Sequence, residues 1–112
     1  VSDTVFRQML GNVLDNAVEA SPHWVGIQVD SEDEDVVIAV HDRGNGFPEC
    51  MLTGLGVPYC SSKDRDGSGL GLFLVVNILR KIGGSTVATN RPEGGATVTL
   101  RFPVSALRLE AA

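Results

Sequence analysis

Two glycine motifs decide the reading of this chain: Asp42-Arg43-Gly44-Asn45-Gly46 and Gly67-Ser68-Gly69-Leu70-Gly71-Leu72, with Asn12-Val13-Leu14-Asp15-Asn16-Ala17 upstream of both. Each alone is weak, because glycine-rich turns are common. In the stretch before the first motif, Val36, Ile38, Val40 and Asp42 share one parity, so a strand carries its buried face into a carboxylate. A carboxylate at the edge of a core needs a polar partner, and the sequence offers no obvious one. A ligand is the expected partner. The exocyclic amine of adenine can donate to such a carboxylate, and glycines at 44 and 46 let backbone approach a flat ring closely. Guanine has no amine at that ring position, so ATP is favoured over GTP. The competing reading is a plain strand-ending turn, where Asp and Gly are at home.

The second motif ends an irregular stretch and opens a helix. Gly67, Gly69 and Gly71 free the backbone to present successive N–H groups, and a helix N-terminus at about Leu70 adds partial positive charge. That combination suits phosphate oxygens. Lys63 could close over the outer phosphates as a point charge, or be a surface lysine on a loop. A Walker lysine is absent, and the glycine spacing does not fit a dinucleotide fingerprint placed after a strand. Asn12 and Asn16 fall on one helical stripe, where an amide oxygen is a hard, neutral ligand for Mg²⁺; amides satisfied by neighbouring backbone are the bland alternative.

Around these motifs the periodicities predict α, β, β, lid, α, β, β. The apolar spacing predicts a helix over 3–20, ended by Ser21-Pro22. Strands follow at about 24–29 and 36–41, joined by a solvated acidic tip, Asp30 to Asp35. Periodicity fails over 47–66, which is read as a flexible lid without nucleotide. A second helix runs from about Leu70 to Ile82 and stops at Gly83-Gly84. A closing hairpin, 85–90 and 95–102, faces Ala96, Val98, Leu100 and Phe102 inward. The economical packing is an α/β sandwich, a mainly antiparallel sheet with helices on one face.

A chain of 112 residues, 43% apolar, supports one core and one domain, 1–112. No apolar run is long enough to span a bilayer and no signal peptide opens the chain; a start on Val reads as a piece of a longer protein. A net charge of −5 argues against nucleic acid as a partner. Cys50 and Cys60 lack paired metal-site spacing, His23 and His41 do not complete one, and both thiols are read as reduced.

Together the motifs resemble the ATP-binding catalytic domain of sensor histidine kinases, in the superfamily that holds DNA gyrase, the heat-shock ATPase chaperone and MutL-type repair ATPases. Leu10 to Ala17 resembles the N box, Asp42 to Gly46 the G1 box, Gly67 to Leu72 the G2 box, and Val57 to Lys63 the F-box end of a short lid. The Ile82-Gly83-Gly84 helix end and the Gly94 to Leu100 strand fit as well. The resemblance implies a Bergerat ATP-binding fold, ATP and Mg²⁺ as cofactors, Asn16 on the metal with Asn12 in support, Asp42 on adenine, and the second glycine motif as lid hinge and phosphate site. In the superfamily's ATPases a water-activating glutamate commonly stands four residues before the metal-binding asparagine. Asn12 stands there instead, which suits a kinase. Where many kinases place a lysine after the N-box alanine this chain has Glu19, so phosphate contacts would fall to Lys63, Arg65 or Arg43. The short lid and N box resemble those of RegB/PrrB-like redox-responsive kinases.

By the same resemblance the chain would transfer the γ-phosphoryl group to a histidine on an upstream dimerisation domain, for relay to a response regulator. The full-length protein would be a homodimer anchored in the bacterial inner membrane with this domain in the cytoplasm; the fragment alone would be a monomer with little activity. By this resemblance the first family strand and the phospho-acceptor helix would lie upstream of these residues. Two other readings stand beside this one: an anti-sigma-factor serine kinase of the same superfamily, and a nucleotide-sensing interaction module without chemistry.

Overall fold

The computed structural model describes residues 3–46 and 68–107. Helix α1 spans Asp3–Ala20, strand β1 Val25–Glu32, strand β2 Asp35–Asp42, helix α2 Ser68–Lys81, strand β3 Ser85–Asn90 and strand β4 Ala96–Pro103, followed by a 3₁₀ turn, Val104–Leu107. The strands pair in the order β1-β2-β4-β3, and each of these pairings is antiparallel. Both helices lie on one face. Met9, Val13 and Ala17 of α1 and Leu72, Val75 and Leu79 of α2 close over Ile38, Val40, Val98, Leu100 and Phe102. This is the expected α/β sandwich. Phe6 meets Phe102 edge-on, with ring centroids 6.0 Å apart.

Helix ends and turns follow local chemistry. At the end of α1, Ser21 N–H donates to the Ala17 carbonyl and Ser21 Oγ donates to the Trp24 carbonyl at 2.6 Å. The chain thus turns before Pro22 could continue the helix. Helix α2 closes in a Schellman motif: Gly84 N–H reaches the Leu79 carbonyl and Gly83 N–H the Arg80 carbonyl, with Gly83 at φ 83°. Arg80 and Lys81 sit in its last turn, where cations are favourable.

The acidic run is less of a loop than its charge suggests. Asp30, Ser31 and Glu32 belong to β1 and Asp35 to β2, leaving Asp33, at φ 54°, and Glu34 as the turn. Arg101 on β4 accounts for the difference. On the solvent face it donates to Asp35 at 2.9 Å and to Glu32 at 2.9 Å, so two of the like charges gain a shared cation. The hydrogen bond to Asp35 is the first cause of a raised Arg101 pKa.

The helices roof only part of the sheet. Ile27 and Val29 are on the helix-side parity of β1, paired with Val40 and Ile38, yet stand 57% and 63% exposed. Strand β1 therefore overhangs the core as an edge.

Candidate nucleotide site

Asp42 ends β2 on its inward parity and is 5% exposed. The protein itself supplies partners that the sequence did not reveal. Its Oδ1 accepts the Gly44 N–H at 2.8 Å and the Ala96 N–H, from the start of β4, at 3.2 Å. One oxygen is held in place by backbone, which aims the other.

The glycines of the first motif are packed by protein. A Cβ on Gly44 would meet the Ala20 carbonyl oxygen at 2.6 Å and the Ala20 Cβ at 2.8 Å, so the turn lies directly against the last residue of α1. A Cβ on Gly46 would meet Asn90 Oδ1 at 2.7 Å. Asn16 is one helical turn before Ala20 and is 6% exposed; Asn12, a further turn back, is half-buried. The Ala20–Gly44 contact thus brings the asparagine stripe and the Asp42 turn to one end of the sandwich.

Helix α2 begins at Ser68, two residues before the expected start. Gly69, Leu70 and Gly71 therefore lie inside its first turn, among the N–H groups that have no partner within the helix. Lys63, Arg65 and Gly67, the whole expected lid, and Cys50 and Cys60 lie outside the described residues. Arg43, a candidate for phosphate contact, stands over the Trp24 ring, 4.4 Å from its centroid.

The donor set fits Mg²⁺ accompanied by nucleotide. Among the described residues no three His, Cys, Asp or Glu side chains gather as a metal site. The amide oxygens at 12 and 16 are neutral, hard donors of the kind Mg²⁺ accepts when water and phosphate oxygens fill the rest of its shell. One concavity on the described surface, of about 460 Å³, is lined by Asp33, Glu34, Pro103, Val104 and Ser105 and holds none of the expected site residues.

Four contributors escaped the sequence reading: Ala96 as a donor to Asp42, Gly95 beneath it, Arg91 on the Asp42 carbonyl at 2.9 Å, and Trp24 beside two arginines. The Gly94-Gly95 pair was the one available signal, and a hairpin turn explained it equally well.

Known proteins resemble this chain in sequence and in fold. The family described as histidine kinase-, DNA gyrase B- and HSP90-like ATPase matches residues 2–106. Sporulation kinase A of Bacillus subtilis is 33% identical over 99 residues, covering 87% of this chain but 16% of its own length. The signal transduction histidine-protein kinase AfsQ2 of Streptomyces coelicolor is 37% identical over 99 residues, 85% of this chain and 18% of its own. The chain thus spans less than a fifth of either relative. Among solved structures, the mycobacterial sensor histidine kinase MprB superposes with a TM-score of 0.79 at 25% identity, covering 92% of this chain and 74% of that one. The ATP-binding domain of PrrB from Mycobacterium tuberculosis gives 0.70 at 30% identity, covering 89% and 67%. With its fold, its three motifs and these relatives in agreement, the chain belongs to the histidine kinase-, DNA gyrase B- and HSP90-like ATPase family, as an ATP-binding domain of the sensor histidine kinase kind.

Proposed function

We propose that this chain is the catalytic domain of a two-component sensor kinase, which binds Mg·ATP and delivers the γ-phosphoryl group to a histidine on a dimerisation domain elsewhere in a longer protein. A response regulator would then take the phosphoryl group, and the parent would be a membrane-anchored homodimer. Among the described residues no helix is long and apolar enough to cross a membrane, so the anchor would belong to other parts of that protein. The observation that carries the reading is Asp42: buried, fixed through one oxygen by two backbone N–H groups, and set beside the end of the asparagine helix.

In this reading the second oxygen of Asp42 accepts the adenine amine, and the first turn of α2, from Ser68 to Gly71, presents N–H groups to the phosphates. Asn16 would hold Mg²⁺ with Asn12 in support, and the ion when bound supplies charge neutralisation between the phosphates. The amide of Asn12 cannot act as a base toward water, and transfer to a protein acceptor needs chiefly positioning. The test is calorimetric titration with a non-hydrolysable ATP analogue, with and without Mg²⁺, beside a GTP analogue and Asp42→Ala. Magnesium-dependent, adenine-selective binding that Asp42→Ala abolishes is expected. Equal affinity for the two analogues, or full binding by a folded Asp42→Ala, overturns the reading.

A further inference from the structure

Arg91 follows β3 in sequence and reaches back to the Asp42 turn. Its Nη1 donates to the Asp42 carbonyl at 2.9 Å and its Nη2 pairs with Glu93 at 2.7 Å. The guanidinium stands 5.1 Å from the centroid of the Trp24 ring, and the side chain is only 18% exposed. Trp24 is tied in turn to the end of α1. Its N–H donates to the Ser21 carbonyl, its own carbonyl accepts Ser21 Oγ, and its ring covers Gly26, where a Cβ would meet ring atoms at 3.0 Å.

We infer that Arg91 is a positioning residue for Asp42, setting the strength of adenine recognition through the Asp42 carbonyl while Trp24 and Glu93 hold the guanidinium in place. The inference rests on Asp42 being the adenine acceptor. Arg91 does not touch the nucleotide in this scheme. A long cationic side chain on a surface turn normally samples many rotamers, and a hydrogen bond from it must offset that lost freedom. Here the aromatic face and the carboxylate restrict the guanidinium before it meets the carbonyl. The main chain of Asp42 is then held by a charged donor from the β3–β4 connection, and its side chain by Gly44 and Ala96. Its own turn and the distant β3–β4 hairpin converge on one residue, so the direction of its second oxygen depends on both.

The test compares ATP with purine riboside triphosphate, which differs by the missing exocyclic amine. In the wild-type chain, loss of the amine weakens binding about tenfold, the scale of one hydrogen bond to a charged acceptor. In Asp42→Ala any residual binding is equal for the two nucleotides. Arg91→Met keeps an unbranched apolar stem but has no donor, and its ratio falls to about threefold or less, a coupling read as a thermodynamic cycle. Arg91→Lys keeps a charged donor without the planar stack, and its ratio lies between those of Arg91→Met and the wild type. Melting temperatures run alongside establish that each variant is folded. A merely structural role for Arg91 weakens both nucleotides equally and leaves the ratio at the wild-type value, which overturns this inference while the adenine reading stands. If Arg91→Met does not fold, Arg91→Lys decides alone: an unchanged ratio overturns the inference, a reduced one supports it. A wild-type chain that binds both nucleotides equally overturns the adenine reading itself.

Discussion

Gly94 and Gly95 offer a paired substitution in which one neighbour controls for the other. Both have positive φ, 107° and 95°, in a range that L side chains rarely adopt. Alanine at either position should therefore cost about 1–3 kcal/mol in backbone strain. For a domain of this size that lowers Tm by roughly 4 °C per kcal/mol. Their surroundings differ completely. A Cβ on Gly94 meets nothing within 4 Å, whereas one on Gly95 runs into the Asp42 carbonyl oxygen and comes to 2.7 Å from Arg43 Cα. Ordinary carbon–carbon contact needs about 3.5 Å, so the start of β4 must move away from Asp42 by close to 1 Å. The Ala96 N–H to Asp42 Oδ1 bond, already 3.2 Å, is at the long end of its range and would be lost. We expect Gly94→Ala to lower stability yet bind an ATP analogue within about twofold of wild type, and Gly95→Ala to weaken binding tenfold or more at a temperature where both are folded. Chemical denaturation gives the stabilities and calorimetry the affinities. Equal nucleotide affinity in the two variants would refute the claim that β4 positions the Asp42 carboxylate.

Other substitutions separate packing from function. Gly11→Ala should stabilise the chain by about 0.5–1 kcal/mol, because Gly11 is inside α1 and a Cβ there meets nothing within 4 Å; destabilisation in urea melts would show that the helix needs glycine there. Phe102→Ala should cost about 3–5 kcal/mol, since Phe102 is 1% exposed in the core beneath Phe6, and a loss under 1 kcal/mol by the same melts would contradict that packing. Arg101→Ala should change stability only slightly in urea melts, because its pairs with Glu32 and Asp35 are on the solvent face, and the difference from wild type should shrink at high salt.

Much of the fold was legible because its periodicities are clean. The inward parity of β4 and the 3.6-residue stripes of both helices each had a single consistent solution, and α1 falls on the expected 3–20. The acidic hairpin was harder: a run of like charge reads as a loop unless a distant cation shares it, and Arg101 is far away in sequence. The candidate site divides along the same line. Asp42 and the asparagine stripe announce themselves through parity and spacing. The two donors to Asp42, the seat of Gly44 on Ala20 and the Trp24–Arg91 brace all depend on which segments meet in space. Local pattern carries no information on such meetings, so the sequence pointed to a carboxylate in need of a partner and missed the partners it already had.

The most direct test of the account is amide chemical-shift mapping by NMR as Mg²⁺ and a non-hydrolysable ATP analogue are added. The account predicts the largest changes at Asn16, Asp42, Gly44 and Ala96 and through Gly69, Leu70 and Gly71, with little movement at Thr99 and Arg101 on the far face of the sheet. Saturable binding whose shifts fall on that far face, leaving Asp42 and Ala96 unmoved, would contradict it.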